Sequence, residues 1–187
     1  MAVLTLDGNG WVVPATHVKS PNFDQRPTGT IVDLLVIHNI SLPPNEFGGD
    51  GVKRLFTNSL DPRSHPFYQS IQHLRVSAHF FIRRDGELVQ FVSCFDRAWH
   101  AGQSSWFGRD RCNDFSIGIE LEGTDNLPFT DEQYYVLRGL ANLLKAYFPF
   151  RAMQGHSDIA PGRKTDPGPY FDWPRLSDTG ISHTVME

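Results

Sequence analysis

Residues 155–168 read GHSDIAPGRKTDPG, a stretch too rich in glycine and proline for a helix or a strand. It nevertheless carries His156, Asp158, Lys164 and Asp166 within a dozen positions. A solvated surface loop is one reading. The other is a metal-dependent site. His156 and Asp166, taken with His38, supply two imidazoles and a carboxylate, a donor set that suits Zn²⁺ and leaves a fourth position open for water or substrate. Pro161 and Pro167 would stiffen such a loop and hold its ends. Lys164, two residues before Asp166, would place an ammonium beside a developing oxyanion. Spacing alone singles out no triple, because the chain has 8 histidines and lacks a short motif such as H-E-x-x-H.

His38 ends an apolar run and precedes a Gly/Pro-rich segment. It is either a satisfied core histidine or a group at a strand end that opens onto a crevice. Glu120 lies on a run whose alternate face is apolar and whose own face holds Ser116 and Gly118. Two readings stand: a solvated edge-strand face, or a carboxylate aimed into space that its small neighbours leave free. Partial burial would raise its pKa toward that of a general base. His79 reads as structural and His100 as a possible pocket wall. His65 and His73 fall in loops, and His17 and His183 near the ends. Cys94 and Cys112 are the only 2 cysteines, and nothing beside them marks an activated thiol.

These groups need elements to position them. IVDLLVIHN (31–39) is apolar on both faces, with Val32, Leu34, Val36 and His38 on one side and Leu35, Ile37 and Asn39 on the other. A strand of that kind belongs in a sheet covered by helices. A short helix follows, with Val52, Leu55, Phe56 and Ser59 on its stripe. LRVSAHFFIRRDGELVQFV (74–92) predicts a hairpin with Asp85-Gly86 as a two-residue turn. FSIGIELEG (115–123) alternates strictly. TDEQYYVLRGLANLLKAYF (130–148) predicts an amphipathic helix with a Thr130/Gln133 capping box and a stripe of Leu137, Leu140, Ala141, Leu144 and Phe148. The fold class is α/β or α+β, a mixed central sheet flanked by helices with long Gly/Pro-rich loops. Residues 1–30 are expected to be irregular and 177–187 to fray.

The 187 residues fit a single domain, and the net charge of −4 is unlike the basic footprint of a nucleic-acid binder. No run approaches the ~20 apolar residues of a membrane span. The first residues, MAVLTLDGNGWVV, lack the basic start and unbroken apolar core of a secretory signal. The expectation is a soluble, cytoplasmic protein that binds neither nucleic acid nor membrane.

VIHNISLPPNEFGG, HLRVSAHFFIRRDGELVQFV, RAWHAG, RCNDFSIGIELEGTD, GHSDIAPGRKTDPG and FDW, in that order over roughly positions 11–176, resemble the cytoplasmic N-acetylmuramyl-L-alanine amidases of the AmpD type. The resemblance implies the fold shared with peptidoglycan recognition proteins, with a zinc cleft on one side of the sheet. It implies His38, His156 and Asp166 as ligands of one Zn²⁺ per chain, Glu120 as the catalytic carboxylate and Lys164 as its assistant at the tetrahedral centre. It places Asn39, Arg75, Arg111 and Ala160 at the muropeptide. The implied reaction cleaves the amide between the lactyl group of 1,6-anhydro-N-acetylmuramic acid and L-alanine. The implied setting is peptidoglycan recycling, which limits β-lactamase inducer in some bacteria. The expected partner is the small muropeptide alone, bound by a monomer. The rivals are a recognition module that binds without cutting, which would typically lack a ligand residue, a periplasmic amidase, and a thiol hydrolase.

Overall fold

Two seven-residue runs form the centre of the sheet, flanked on each side by further strands. The computed structural model describes residues 3–184. In chain order the strands are β1 (Thr16–His17), β2 (Leu34–Ile40), β3 (Phe80–Ile82), β4 (Leu88–Gln90), β5 (Ser116–Glu122) and β6 (Ala152–Gly155). Their spatial order is β6-β2-β5-β3-β4-β1. Strands β6, β2, β5 and β3 run parallel, β4 returns antiparallel to β3, and β1 lies parallel to β4. The sheet is mixed, as expected. Parallel strands are covered on both faces, which explains the continuous apolar character of β2. The edge-strand reading of 115–123 fails, since β5 sits between β2 and β3 with all its residues buried.

On one face Leu35, Ile37, Ile117, Ile119 and Leu121 pack against Leu137, Leu140, Ala141 and Leu144. These belong to the helix Asp131–Lys145. Its start is the expected capping box: Gln133 N–H donates to Thr130 Oγ1 at 3.1 Å and Thr130 N–H donates to Gln133 Oε1 at 3.0 Å. Phe148 lies beyond the helix and packs half-buried on the same core. The other face is covered in two patches. Leu34 and Val36 meet Trp106, Cys112 and Phe115. Phe81 and Val89 meet Val52, Leu55, Phe56 and Tyr68. The last four come from two short helices, α1 (Gly51–Phe56) and α2 (Pro66–Ile71). In chain order the long helix is therefore α3.

Several expectations are corrected. Ser59 lies past the end of α1. Helix α2 was not foreseen: His65 is its N-cap, its Nδ1 accepting from Phe67 N–H at 3.1 Å, and Pro66 occupies the first turn, where its missing N–H costs nothing. The hairpin exists, but its strands are only β3 and β4 and its turn is longer. Ile82 pairs with Leu88, Arg83 N–H donates to Glu87 O at 3.0 Å, and Gly86 takes φ 86°. That is a three-residue connection with glycine in the left-handed position, not a two-residue one. Residues 3–30 are mostly irregular, apart from short pairings such as Thr5–Leu6 with Val12–Val13.

The expected fraying at 177–187 does not occur in 177–184. Ile181 is buried, Met153 N–H donates to Ser182 O at 2.9 Å, and Gln154 Nε2 donates to Thr184 O at 2.8 Å. His183 stacks on Trp173 with ring centroids 3.7 Å apart. The segment therefore covers the outer edge of β6. Residues 185–187 lie outside the described residues. Among the described residues no helix is long and apolar enough to cross a membrane.

Candidate metal and catalytic site

The site forms where the parallel strands end, the usual place for a crevice in such a sheet. His38 on β2 and Glu120 on β5 are direct register partners. Neighbours in register point to the same face about 4.8 Å apart, so the sheet itself brings an imidazole and a carboxyl side by side. His156 follows the last residue of β6 and opens a single helical turn, α4 (His156–Ile159), inside the segment expected to be wholly irregular. The loop then folds back on itself: Ser157 N–H donates to Asp166 O at 2.9 Å. Gly155 permits this return, because a Cβ there would lie 2.8 Å from Pro167 Cδ. Asp158 is a brace, accepting from Gly155 N–H at 2.7 Å and contacting His183 Nε2 at 3.1 Å.

Three atoms converge. His38 Nδ1 lies 3.0 Å from His156 Nδ1 and 3.0 Å from Asp166 Oδ2, and His156 Nδ1 lies 3.1 Å from that oxygen. Donors held at about 2.0–2.2 Å in a tetrahedral site sit about 3.3–3.6 Å apart, so the trio is within a few tenths of an ångström of that spacing. His156 Nε2 donates to Ala101 O at 3.0 Å. A carbonyl only accepts, so in the neutral ring the lone pair is on Nδ1 and faces the other two donors. Such a meeting of lone pairs calls for a cation, and the donor set fits zinc. Among the described residues this is the one group of three or more such side chains placed to hold a metal. Burial, then the neighbouring His156, pushes His38 down to about 4, so it is neutral at ordinary pH. Asp166 lies well below the usual carboxylate range: burial opposes ionisation, but the contacts to His156 and His38 outweigh it.

Glu120 is 8% exposed, and its Oε2 has no hydrogen-bond partner among the described residues. Burial, with Asp166 adding to it and Lys164 opposing, holds the carboxyl well above its ordinary value. That bias toward the protonated form is what a carboxyl that takes up and later returns a proton requires. Lys164 is exposed and lines the same cleft, about 380 Å³ in volume. Helices α1 and α2 supply its apolar wall through Leu55, Phe56, Phe67 and Ile71.

The remaining expected residues are dispersed. Asn39 borders this cleft, with its Nδ2 donating to Asp125 Oδ1 at 2.6 Å and to Pro167 O at 3.0 Å. Arg111 and Ala160 line a neighbouring depression with Arg163. Arg75 is exposed outside both and donates to the carbonyls of Gln72 and Leu74. Cys94 and Cys112 are free and buried away from the cleft. Burial raises both thiols, Cys112 to about 11, which disfavours a thiolate nucleophile.

The space beside Ser116 and Gly118 is not free for a ligand. The ring of His100 fills it: a Cβ at Gly118 would lie 2.4 Å from His100 Cγ. His100 Nδ1 is 3.0 Å from His38 Nε2. His100 also lines the cleft, in keeping with its expected place in a pocket wall. The small residues facing Glu120 were the signal that something large lies across the strand.

The family model for N-acetylmuramoyl-L-alanine amidase matches residues 27–169. The 1,6-anhydro-N-acetylmuramyl-L-alanine amidase AmpD of Escherichia coli strain K12 is 60% identical over 169 residues, covering 89% of this chain and 92% of that protein. The crystal structure of a selenomethionine derivative of AmpD superposes with a TM-score of 0.91 at 57% identity, covering 93% of this chain and 98% of the other. The Drosophila peptidoglycan recognition protein SA aligns at 15% identity with a TM-score of 0.56, covering 88% of this chain and 86% of that one, a likeness of fold alone. With its sheet, its convergent donors and these relatives taken together, the chain belongs to the N-acetylmuramoyl-L-alanine amidase family and is of the AmpD type.

Proposed function

We propose that this amidase is a zinc enzyme that hydrolyses the bond between the lactyl carbonyl of 1,6-anhydro-N-acetylmuramic acid and the amino group of L-alanine. The observation that carries the reading is the meeting of His38, His156 and Asp166 beside the unpartnered carboxyl of Glu120. The substrate is that named for the E. coli relative. Zinc held by the three donors would supply Lewis acidity. Glu120 would take the proton from the attacking water and return it to the leaving amine. Lys164 stands at the rim with an ammonium to offer the developing oxyanion.

Asn39, Arg75, Arg111 and Ala160 are the proposed muropeptide contacts. The peptide carries carboxylates, and a guanidinium binds those bidentately where an ammonium cannot. Arg111 and Ala160 border the depression beside the cleft, which suits a peptide running away from the scissile bond. The protein would act as a monomer in the cytosol, on soluble fragments in peptidoglycan recycling, thereby limiting β-lactamase inducer.

The test pairs two measurements on purified protein: zinc per chain by elemental analysis, and cleavage of anhydro-muramyl tripeptide before and after chelation. About one zinc, with turnover lost on chelation and restored by zinc, is the expected result. Undiminished turnover without metal would refute the assignment.

A further inference from the structure

The two imidazoles of the trio are both oriented by one short segment, residues 100–101. His156 donates to the Ala101 carbonyl. His38 meets the His100 ring instead, and the direction of that contact follows from a chain of neighbours. Ser116 Oγ lies 2.6 Å from Cys112 O. A carbonyl has no proton to give, so the hydroxyl must donate there. The hydroxyl therefore accepts from His100 Nε2, at 3.1 Å. With its proton on Nε2, neutral His100 has a lone pair on Nδ1. That lone pair accepts from His38 Nε2 at 3.0 Å. His38 is left with its own lone pair on Nδ1, facing His156 and Asp166.

Little in the surroundings lets this chain reverse. Ser116 is 0% exposed, His38 1% and His100 8%, so water does not compete for these contacts. Asn113 Oδ1 accepts from both His100 N–H, at 3.1 Å, and Ala101 N–H, at 2.7 Å, fixing the segment's backbone. Gly118 lies directly under the ring. A reversed relay would leave the Cys112 carbonyl facing a hydroxyl oxygen without a proton between them, and would put a proton on His38 Nδ1 where the metal must bind.

We propose that Ser116 and His100 are positioning residues: a one-way hydrogen-bond relay from the Cys112 carbonyl through Ser116 and His100 that locks His38 in the tautomer able to bind metal. The proposal rests on the zinc reading above. It extends that reading from the ligands to the residues that present them, which typically tune metal affinity by 10–100-fold.

The experiment uses the full chain with ¹⁵N-labelled histidine and reads imidazole tautomers by long-range ¹H–¹⁵N correlation, with and without zinc. A chelator competition measures zinc affinity alongside. The wild-type protein is expected to show neutral His100 protonated on Nε2 in both states. Ser116→Ala is expected to shift His100 toward the Nδ1-protonated form and to weaken zinc binding about 10–100-fold. Ser116→Thr, which keeps the hydroxyl, should restore both. Wild-type His100 protonated on Nδ1 overturns the relay, a reading that needs no variant to fold. So does a Ser116→Ala protein with lower melting temperature but unchanged tautomer and zinc affinity, since a merely structural hydroxyl would give that result. If the wild-type protein takes up no zinc, the zinc reading fails, and the tautomers of His38 and His100 still decide the relay.

Discussion

Replacing Glu120 by glutamine should lower activity and raise stability together. Glutamine matches the carboxyl in shape but can neither accept the water's proton nor return it. Loss of a general acid–base costs about 10²–10⁴ in kcat, or about 2.7–5.4 kcal/mol of barrier. Stability moves the other way because the wild-type carboxyl is buried with an unpartnered Oε2. Its folded pKa lies well above the ordinary 4.5, chiefly through burial. Between those two values the folded chain holds a proton that the unfolded chain has lost. The Glu120 contribution to stability therefore falls as pH rises through that window, by up to about 1.4 kcal/mol per pH unit. Glu120→Gln removes that contribution, so the variant's advantage over wild type should grow with pH and level off above the folded pKa. Urea denaturation of both metal-stripped proteins from pH 4.5 upward measures this, with kcat and zinc content measured on the loaded proteins. Zinc content should be unchanged. A kcat within tenfold of wild type would refute the role of Glu120 in proton transfer, loss of zinc would make it a ligand, and a pH-independent stability difference would refute the burial argument.

Asp166→Ala should leave two nitrogens without their shared carboxylate and bring zinc well below one per chain by elemental analysis, whereas a full complement would remove Asp166 from the ligand set. In the Glu120→Gln background, acid should destabilise the metal-free protein as pH falls from about 6.5, since His38 is pushed down to about 4 and His79 to about 3 in the fold while unfolded histidines take protons earlier; a urea midpoint constant over that range would contradict their burial as neutral rings. Changing Cys94 and Cys112 to serine should preserve turnover, while each buried hydroxyl lowers the melting temperature; abolished turnover in a folded, zinc-loaded variant would revive thiol chemistry. Gly118→Ala should cost about 1–3 kcal/mol by overpacking against His100, read as a lower urea midpoint together with weaker zinc binding. Wild-type values for both would mean the ring shifts freely.

The local periodicities were legible. Alternation located β5, the apolar run located β2, and the Thr130/Gln133 pair located the start of α3. What periodicity does not carry is partnership. Nothing in the spacing of His38 and Glu120 says that they are register neighbours, because that depends on which strands adjoin. The face of Ser116, Gly118 and Glu120 looked polar and roomy because the ring that fills it arrives from residue 100. Helix α2 is too short to show a repeat, and only Pro66 after a capping histidine marks it. The tail looked free because its composition is polar, and its docking depends on the distant edge of β6. For the metal site, residue types narrowed the candidates, while the family resemblance supplied the choice of His38, His156 and Asp166 that register and loop closure realise.

That long-range closure has a consequence for how the chain matures. His38 and His156 are 118 positions apart, and His38 and Asp166 are 128 apart. No local hairpin or helix brings them together. They meet only once β6 has docked beside β2, a contact whose loop-closure entropy must be met before it is rewarded. A partly folded chain therefore has at most one imidazole in place and no preformed trap for a metal. On the proposed metal reading, capture would come late and mark the completed sheet, so that metal loading would report on conformational completeness.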